Sequence, residues 1–461
     1  MVASFFRSDF GKRTLLSASV ALVVTGCRTT ADIYRDYEAN VRRGDYRIQQ
    51  AELSDKAAEK GNDQLMWQLM YSRLLYLDSA NERNIQVLDL AEDTMYARDA
   101  SPVYSQLGQG ATAMIWNDCA FAYDGGGQDR IFTSLYKALS FMALGNVAGA
   151  RTELNRAAQR QENWLVERQR DIAAAEARLN KDAAKYAKEN NANTNETATA
   201  AANALADKTF SADIAKGTGY DPSTFDANAI AQSAYWNTYA EHVRKVFRRC
   251  VGDEGRKPKD KVWVYVEDGL CPFRSEWRID LPLFLIPGLN RYVLYAGMAL
   301  PTLNYRMPGA NNYQVSVNGT EFTPMTKLCD VDQLIKTEYD IYMSGALKRE
   351  ITRTIVKAGV QIACGVVAEN VSDWKTKTAL KGAQLAAAAT AAASVKADIR
   401  SWNSLPKTVY MAEIDRPASG IVTIWADGEH IPVSVSEGNS LVFVTKPDRY
   451  AKPVTRSITL K

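Results

Sequence analysis

The chain has 461 residues, enough for two or three domains with a sizeable hydrophobic core. Its formal net charge is +3, from 56 basic and 53 acidic side chains. Such a balanced charge gives no global field that would select a nucleic acid, so no nucleic-acid partner is expected. The two histidines form no HxxxH or HExxH pattern, which excludes the common histidine-based metal motifs.

The first 27 residues have the three parts of a secretory signal. Arg7, Lys12 and Arg13 supply positive charge, and residues 14–24 form an apolar run of about ten residues. This run is too short to span a bilayer, because a transmembrane helix needs about 20 apolar residues. Small residues then lead into Cys27. The segment therefore predicts export from the cytoplasm.

The end of this segment resembles a bacterial lipobox, with Val24, Thr25 and Gly26 before Cys27. The resemblance implies that the Cys27 thiol carries diacylglycerol and that cleavage occurs just before it. Two or three acyl chains hold a protein stably at a membrane, whereas one holds it only marginally. Arg28 follows rather than aspartate, which under an aspartate sorting rule implies the periplasmic face of the bacterial outer membrane. The alternative is an ordinary cleaved signal with a chance cysteine.

Residues 31–251 have a helical pattern, with apolar side chains recurring at three- and four-residue spacing. The clearest unit spans 133–162. There Ala138 and Ala150 allow two antiparallel helices to approach, as in a tetratricopeptide hairpin, and Phe141 and Leu154 fill the space between pairs. The pattern predicts a tetratricopeptide-like helical domain, and an irregular helical array is the alternative.

Residues 163–216 are predicted to form a projecting arm of this domain. They are rich in alanine, charged and polar residues and contain few large apolar side chains. Further along, Tyr235 and Trp236 lie in a helical stretch. Aromatic side chains are enriched among the residues that dominate protein–protein binding. Tyr235 and Trp236 are therefore candidate partner-binding residues.

After a Gly-, Pro- and charge-rich linker at 252–260, β-branched and aromatic runs alternate with Gly and Pro. Strands are predicted at 262–266, 277–283, 292–295, 313–317, 408–414, 421–426, 433–435 and 441–445. Residues 331–400 instead have a helical pattern. The predicted fold class is α+β, with an N-terminal tetratricopeptide-like helical array and a C-terminal β-sandwich-like domain. That domain covers 261–461 and is interrupted by a helical insertion at 331–400.

Two short motifs carry a resemblance that spans most of the chain. They are Val-Tyr-Val-Glu-Asp-Gly at 264–269 and Arg-Ser-Trp-Asn-Ser-Leu-Pro at 400–406. Together with the lipobox and the helical half, they resemble a family of bacterial envelope lipoproteins that accompany the activators of penicillin-binding proteins. The resemblance implies a role in envelope biogenesis by association, and a shared fold alone does not establish a mechanism.

Arg400 and Trp402 lie where a predicted helix meets a predicted strand. An exposed tryptophan beside an arginine is a good partner anchor, so both are candidate partner-binding residues. The favoured alternative is structural: Trp402 fixes the helix to the sheet while Arg400 caps carboxylates or carbonyl groups. For Glu267 and Asp268, a tight turn is favoured over a cation site because further oxygen ligands are missing.

The five cysteines beyond Cys27 are scattered, with no CxxC and no metal-like spacing. Buried single thiols are favoured for most of them, although Cys250 and Cys271 could pair in an oxidising periplasm. No GxSxG elbow or other catalytic motif is present. The sequence therefore predicts no catalytic residues, no metal and no cofactor, and it leaves a small-molecule ligand open.

These features predict a lipid-anchored periplasmic scaffold or adaptor that binds a protein partner in cell-envelope biogenesis, with the membrane contacted through Cys27. Its mechanism is tethering, which raises the local concentration of the partner near the membrane. One alternative is an accessory lipoprotein for secretion or assembly. Another is a cell-wall hydrolase or glycan-binding enzyme, which a deep pocket with converging carboxylates would favour.

Overall fold

A computed structural model of the chain describes residues 30–44, 47–100, 118–164, 208–221, 236–280 and 293–460. Within them the fold is mixed α+β, with an array of helices in the N-terminal half and sheets in the C-terminal half. The signal segment with Cys27, most of the predicted arm, and Tyr235 lie outside the described residues. The predictions for those parts stay predictions.

The helical array is built largely from helices joined by short turns. They are α1 (Thr30–Arg43), α2 (Arg47–Ala58), α3 (Gln64–Leu77), α4 (Asn81–Ala100), α5 (Gly127–Ala143), α6 (147–164), α7 (Lys208–Thr218) and α8 (Thr238–Val251). Gly145, between α5 and α6, has a φ of 73°, a left-handed conformation that glycine adopts without steric cost. Asn84 of α4 donates to the Ser140 hydroxyl of α5 at 2.9 Å and joins consecutive helix pairs.

A cluster of charged side chains ties α4, α5 and α6 together. Lys137 Nζ lies 2.6 Å from Glu92 and 3.0 Å from Glu153, and all three side chains are buried. Arg156 and Arg160 contact Glu92 at 3.0 and 2.7 Å. Because these charges have partners of opposite sign, the cluster joins the three helices without the large penalty of an unpaired buried charge.

Eleven strands make up the sheets in the described part of the chain. They are β1 (Lys261–Asp268), β2 (Phe273–Asp280), β3 (Gly297–Asn304), β4 (Tyr313–Ser316), β5 (Thr323–Pro324), β6 (Thr326–Asp330), β7 (Thr408–Asp415), β8 (Ile421–Ala426), β9 (Glu429–Ser434), β10 (Asn439–Lys446) and β11 (Val454–Leu460). The first sheet has the order β11-β10-β1-β7-β6, the second the order β5-β4-β8-β9, and β2 pairs with β3. In the first sheet β1 and β10 are parallel, and the other pairs are antiparallel.

The first and second sheets pack against each other through a hydrophobic core. It includes Val264 and Val444 of the first sheet and Val315, Ile424 and Val433 of the second. Successive side chains of a strand point to opposite faces. The valines of β1 therefore face the second sheet, and the aromatic residues between them face the helices.

The helical array packs on that other face of the first sheet. Trp263, Tyr265 and Phe443 belong to the same hydrophobic core as Leu69 of α3 and Phe132 of α5. The helical and sheet halves are thus joined by a continuous core as well as by the linker at 252–260. This core fixes the position of the first sheet relative to the helix ends.

The helical insertion forms a hairpin of α9 (Val331–Asn370) and α10 (Trp374–Ala393). The first part of α9 packs on β3 and α7 through Tyr339, Met343 and Leu300. Among the described residues, α9 is the one helix long and apolar enough to cross a membrane. Most of that apolar stretch is buried inside the protein, as in a core helix.

The strand predicted at 292–295 is wrong, because residues 293–296 form an irregular segment and the strand β3 begins at Gly297. The sequence prediction also missed β3, β5, β6 and β11. Gly297 and Pro301 explain the first omission, since glycine and proline are disfavoured inside strands. The other predicted strands overlap observed ones.

All five cysteines beyond Cys27 are free thiols, so Cys250 and Cys271 do not pair. Both are buried, and burial raises the pKa of each thiol to about 12. A thiol with so high a pKa carries almost no thiolate near neutral pH. These two cysteines therefore act as small apolar side chains of the core.

Candidate functional site

The structure places Arg400 and Trp402 in the interior, which corrects their prediction as partner anchors. Arg400 is 5% exposed and Trp402 is 1% exposed. The Arg400 guanidinium donates to both carboxylate oxygens of Asp398 at 2.8 Å, to the Phe121 carbonyl at 2.8 Å, and to Asp63 at 3.1 Å. Arg400 thus ties the loop before β7 to segments of the helical half.

Trp402 fixes the same loop by packing. Its ring lies 6.0 Å from the Tyr136 ring of α5 in an edge-on arrangement. By contrast, Trp236 lies just before α8 and is 49% exposed. Of the predicted partner-binding residues that the structure describes, Trp236 alone is accessible to a partner.

Glu267 and Asp268 end strand β1 in the turn favoured by the sequence, with Gly269 at a φ of 62°. One carboxylate oxygen of Asp268 accepts hydrogen bonds from the Gly309 amide at 2.7 Å and the Tyr313 hydroxyl at 2.6 Å. Burial raises the pKa of the Asp268 carboxyl, although these donors act in the opposite direction. No cluster of metal-ligating side chains occurs anywhere in the described part of the chain.

Glu267 is the centre of a buried polar network between the helices and the first sheet. Its carboxylate accepts from Arg73 of α3 at 2.7 Å, from the Tyr136 hydroxyl at 3.1 Å, from the Tyr239 hydroxyl at 3.0 Å and from Thr445 at 2.8 Å. Burial alone would lower the pKa of Arg73, but the adjacent Glu267 carboxylate raises it overall. The network holds three helices and two strands in one arrangement.

A groove with both polar and apolar walls opens where the helix ends meet the edge of the first sheet. It has a volume of about 570 Å³, within the range of ligand and peptide sites. Four parts of the chain line it: the α3–α4 turn, the α5–α6 turn, α8 and β11. The lining residues are Ser79, Asn81, Met142, Ala143, Gly145, Val147, Phe247, Val251, Thr455, Arg456, Ser457, Ile458, Thr459 and Leu460.

Strand β11 forms the floor of this groove and presents an open edge to it. Its seven residues pair with β10 without a bulge, and β10 is the one described neighbour hydrogen-bonded to its backbone. Ile458 and Leu460 point into the core shared with the helices. On its outer side β11 has no strand partner among the described residues, as is typical of an edge strand.

The other edges of the two larger sheets carry features that prevent strand addition. β6 has an irregular register between Lys327 and Cys329, and Thr238 of α8 donates to the Leu328 carbonyl. β9 contains the exposed Pro432, and β5 has only two residues. Short strands, bulges and proline are the usual protection of sheet edges. β11 has none of them.

The walls of the groove show what it can bind. Val147 and Val251 give the groove apolar surface beside the strand edge, and Met142 and Phe247 lie buried beneath it. An extended segment laid along β11 would satisfy its main-chain groups and place alternate side chains against these walls. Arg456 is buried and held in place, because its guanidinium donates to the Tyr76 carbonyl at 3.0 Å and stacks on the Tyr76 ring, and these neutral partners leave its positive charge beside the groove.

None of the described residues predicted to bind a partner lines this groove. One sequence signal pointed toward it: Val454, Arg456, Ile458 and Leu460 alternate with small hydroxyl residues, the period of a half-buried strand. Comparison with models of protein families, with curated proteins and with solved structures finds no match.

Proposed function

We propose that this chain is a lipid-anchored scaffold or adaptor of the bacterial cell envelope that holds an extended segment of a partner protein. The observation that carries the proposal is the position of β11 at the end of the first sheet, beside a groove with polar and apolar walls. Strand addition gives affinity through main-chain hydrogen bonds, and pockets for alternate side chains give specificity. The partner segment is therefore extended, with apolar residues at every second position.

The tether is supported by the N-terminal sequence, in which a charged, apolar and small-residue series ends at Cys27. An acylated Cys27 would hold the groove beside a membrane, where the local concentration of an envelope partner is high. In this account the chain works from the periplasmic face of the outer membrane.

A tetratricopeptide-like arrangement of the helices is part of the proposal and is supported by their packing. Ala138 and Ala150 are fully buried where α5 and α6 approach. A side-chain carbon at Gly149 would come within 2.8 Å of the Phe141 ring, so glycine there permits the close contact. Helical hairpins of this kind stack side by side and expose their turns along one edge.

The proposal is tested by crosslinking pull-down of the chain expressed in its own cells, comparing Val147→Glu with Leu144→Glu. Val147 lines the groove, whereas Leu144 is an exposed apolar residue just outside it. Burying a charge against an apolar partner is unfavourable. We expect Val147→Glu to reduce recovery of the partner about tenfold and Leu144→Glu to leave it unchanged.

The tether is tested in the same cells by mass spectrometry of the mature N-terminus and by fractionation. We expect an acylated Cys27 and recovery with the outer membrane even after a high-salt wash, and a Cys27→Ser chain that the same wash releases from the membrane fraction. A bare N-terminus would overturn the proposed lipid tether. Equal partner recovery by the two glutamate variants would overturn partner binding in the groove.

A further inference from the structure

The α9–α10 hairpin presents a helical face that the function above does not use. α10 has 20 residues and packs mainly on α9, so one side of it faces away from the protein. Only Ala388 and Ala391 of α10 are buried. Trp374 is 69% exposed and Leu385 is 64% exposed.

Trp374 and Leu385 lie on one face of α10, because eleven residues correspond to about three turns at 3.6 residues per turn. Val367, in the last turns of α9, is also exposed. Trp374 and Leu385 are about 16 Å apart along the helix, and the exposed tryptophan is the less usual of the two. Trp374 and Leu385 form the apolar part of what we call the hairpin face.

The charged part of the hairpin face is basic. α10 contains Lys375, Lys377 and Lys381 and no acidic residue. In the described chain none of the three lysines forms an ion pair with a carboxylate. Two acids lie at the same end of the hairpin: Asp373, which caps α10 by accepting from the Thr376 amide at 2.8 Å, and Glu369 near the end of α9.

We propose that the hairpin face is a membrane-binding surface that rests on an anionic lipid leaflet, with Trp374 and Leu385 in the interface. Tryptophan is enriched at membrane–water interfaces, and unpaired lysines are attracted to anionic head groups. A protein partner would instead be expected to meet a compact apolar centre. Here alanines and threonines separate the large side chains. Charge complementarity therefore favours lipid over a second protein.

The path of the chain makes such a contact compatible with the proposed tether. The Tyr34 hydroxyl donates to the Ser401 carbonyl at 3.4 Å. Cys27 precedes Tyr34 by seven residues, and Ser394, at the base of the hairpin, precedes Ser401 by seven. Each of these connections spans at most about 25 Å, because an extended chain covers about 3.5 Å per residue. Cys27 and Ser394 are therefore at most about 50 Å apart, and α10 adds about 30 Å between Ser394 and Trp374.

Membrane binding by the hairpin face shares with the proposed function only its location at the membrane. A chain without the acyl group tests it independently of the tether. The protein is the chain from residue 27 onward carrying Cys27→Ser. It is sedimented with vesicles of phosphatidylcholine alone, or of phosphatidylcholine with phosphatidylglycerol. We expect binding to the anionic vesicles only, and weaker binding as ionic strength rises.

Substitutions in the hairpin face test whether this surface makes the contact with the vesicles. Replacing the three lysines by glutamine should weaken binding about a hundredfold, because each lysine near an anionic surface contributes about fivefold. Trp374→Ala with Leu385→Ala should weaken it about tenfold or more. Thermal melts followed by circular dichroism check that each variant is folded.

Matched controls come from exposed residues elsewhere. Arg256, Lys257 and Lys259 lie on the exposed loop after α8, and their triple glutamine variant removes the same charge. Trp236→Ala removes another exposed tryptophan. Both controls should bind vesicles like the parent chain.

Several results would overturn the inference. They are the absence of binding to the anionic vesicles, equal weakening by the control variants, and binding that survives the hairpin substitutions. A concentration-dependent dimer in ultracentrifugation that Trp374→Ala abolishes would assign the face to a second copy instead. Val147→Glu should bind vesicles normally, so failure of the groove proposal and failure of this one are distinguishable.

Discussion

Arg73 and Glu267 are 194 residues apart in sequence, and their side chains form a buried ion pair of 2.7 Å. Arg73 belongs to the helical array and Glu267 to the central strand of the first sheet. The Arg73 guanidinium also lies 4.7 Å from the centre of the Tyr136 ring. This ion pair therefore links the helical half of the chain to the first sheet.

We predict that Arg73→Met destabilises the protein by about 3–5 kcal/mol, because it leaves the Glu267 carboxylate buried without its counter-charge. Arg73→Met combined with Glu267→Leu should be less destabilising than the sum of the two single changes. Urea unfolding of the four proteins measures this coupling. Additive effects would show that the pair does not act as a unit.

A pH-dependent contribution to stability is expected from Asp332. Its carboxylate contacts Lys407, yet burial raises its pKa to about 6, and one of its oxygens is buried without a hydrogen-bond partner. The unfolded value is near 3.9. Because the native state holds the proton more tightly, this contribution is complete below about pH 4 and is lost as pH rises through 6.

Asp332→Asn should therefore become more stable relative to the parent chain as pH rises from 4 to 7, by up to about 3 kcal/mol. The measurement is the free energy of unfolding in urea for both proteins at several pH values. A difference that stays constant across this range would contradict the assignment.

Arg400→Lys should destabilise the chain by about 2–4 kcal/mol even though the charge is kept. The guanidinium donates to two carboxylates and two backbone carbonyls, which a single ammonium group cannot reach together. Arg256→Lys, on an exposed loop, is the matched control and should be neutral. Equal thermal stability of the two variants would rule out the role assigned to Arg400.

The α+β class, the change from helix to strand near 261 and the helical insertion follow from sequence patterns that are local. Strand β1 illustrates this, because its β-branched and aromatic residues favour a strand whatever packs on it. The position of Arg400 and Trp402 between a helix and a strand is likewise visible in the sequence. Whether they are exposed depends on α3 and α5, which are more than 250 residues away.

The groove could not be predicted because it is assembled from four parts of the chain and none of its lining residues forms a motif. The alternation in β11 was the one local sign of its floor. An edge strand can bind a further strand only because one of its sides has no neighbouring strand. The order of strands in a sheet is set by contacts between residues that are distant in sequence. The sequence likewise did not distinguish the exposed face of α10 from a packed one.

Photocrosslinking from the floor of the groove in living cells most directly tests whether β11 binds an extended segment of a partner protein. A photoreactive amino acid replaces Ser457, an exposed residue of β11, or Ser434, an exposed residue of the edge strand β9. The account predicts one discrete protein adduct from position 457 that Val147→Glu abolishes, and no such adduct from position 434. No adduct from position 457, or the same adduct from both positions, would contradict it.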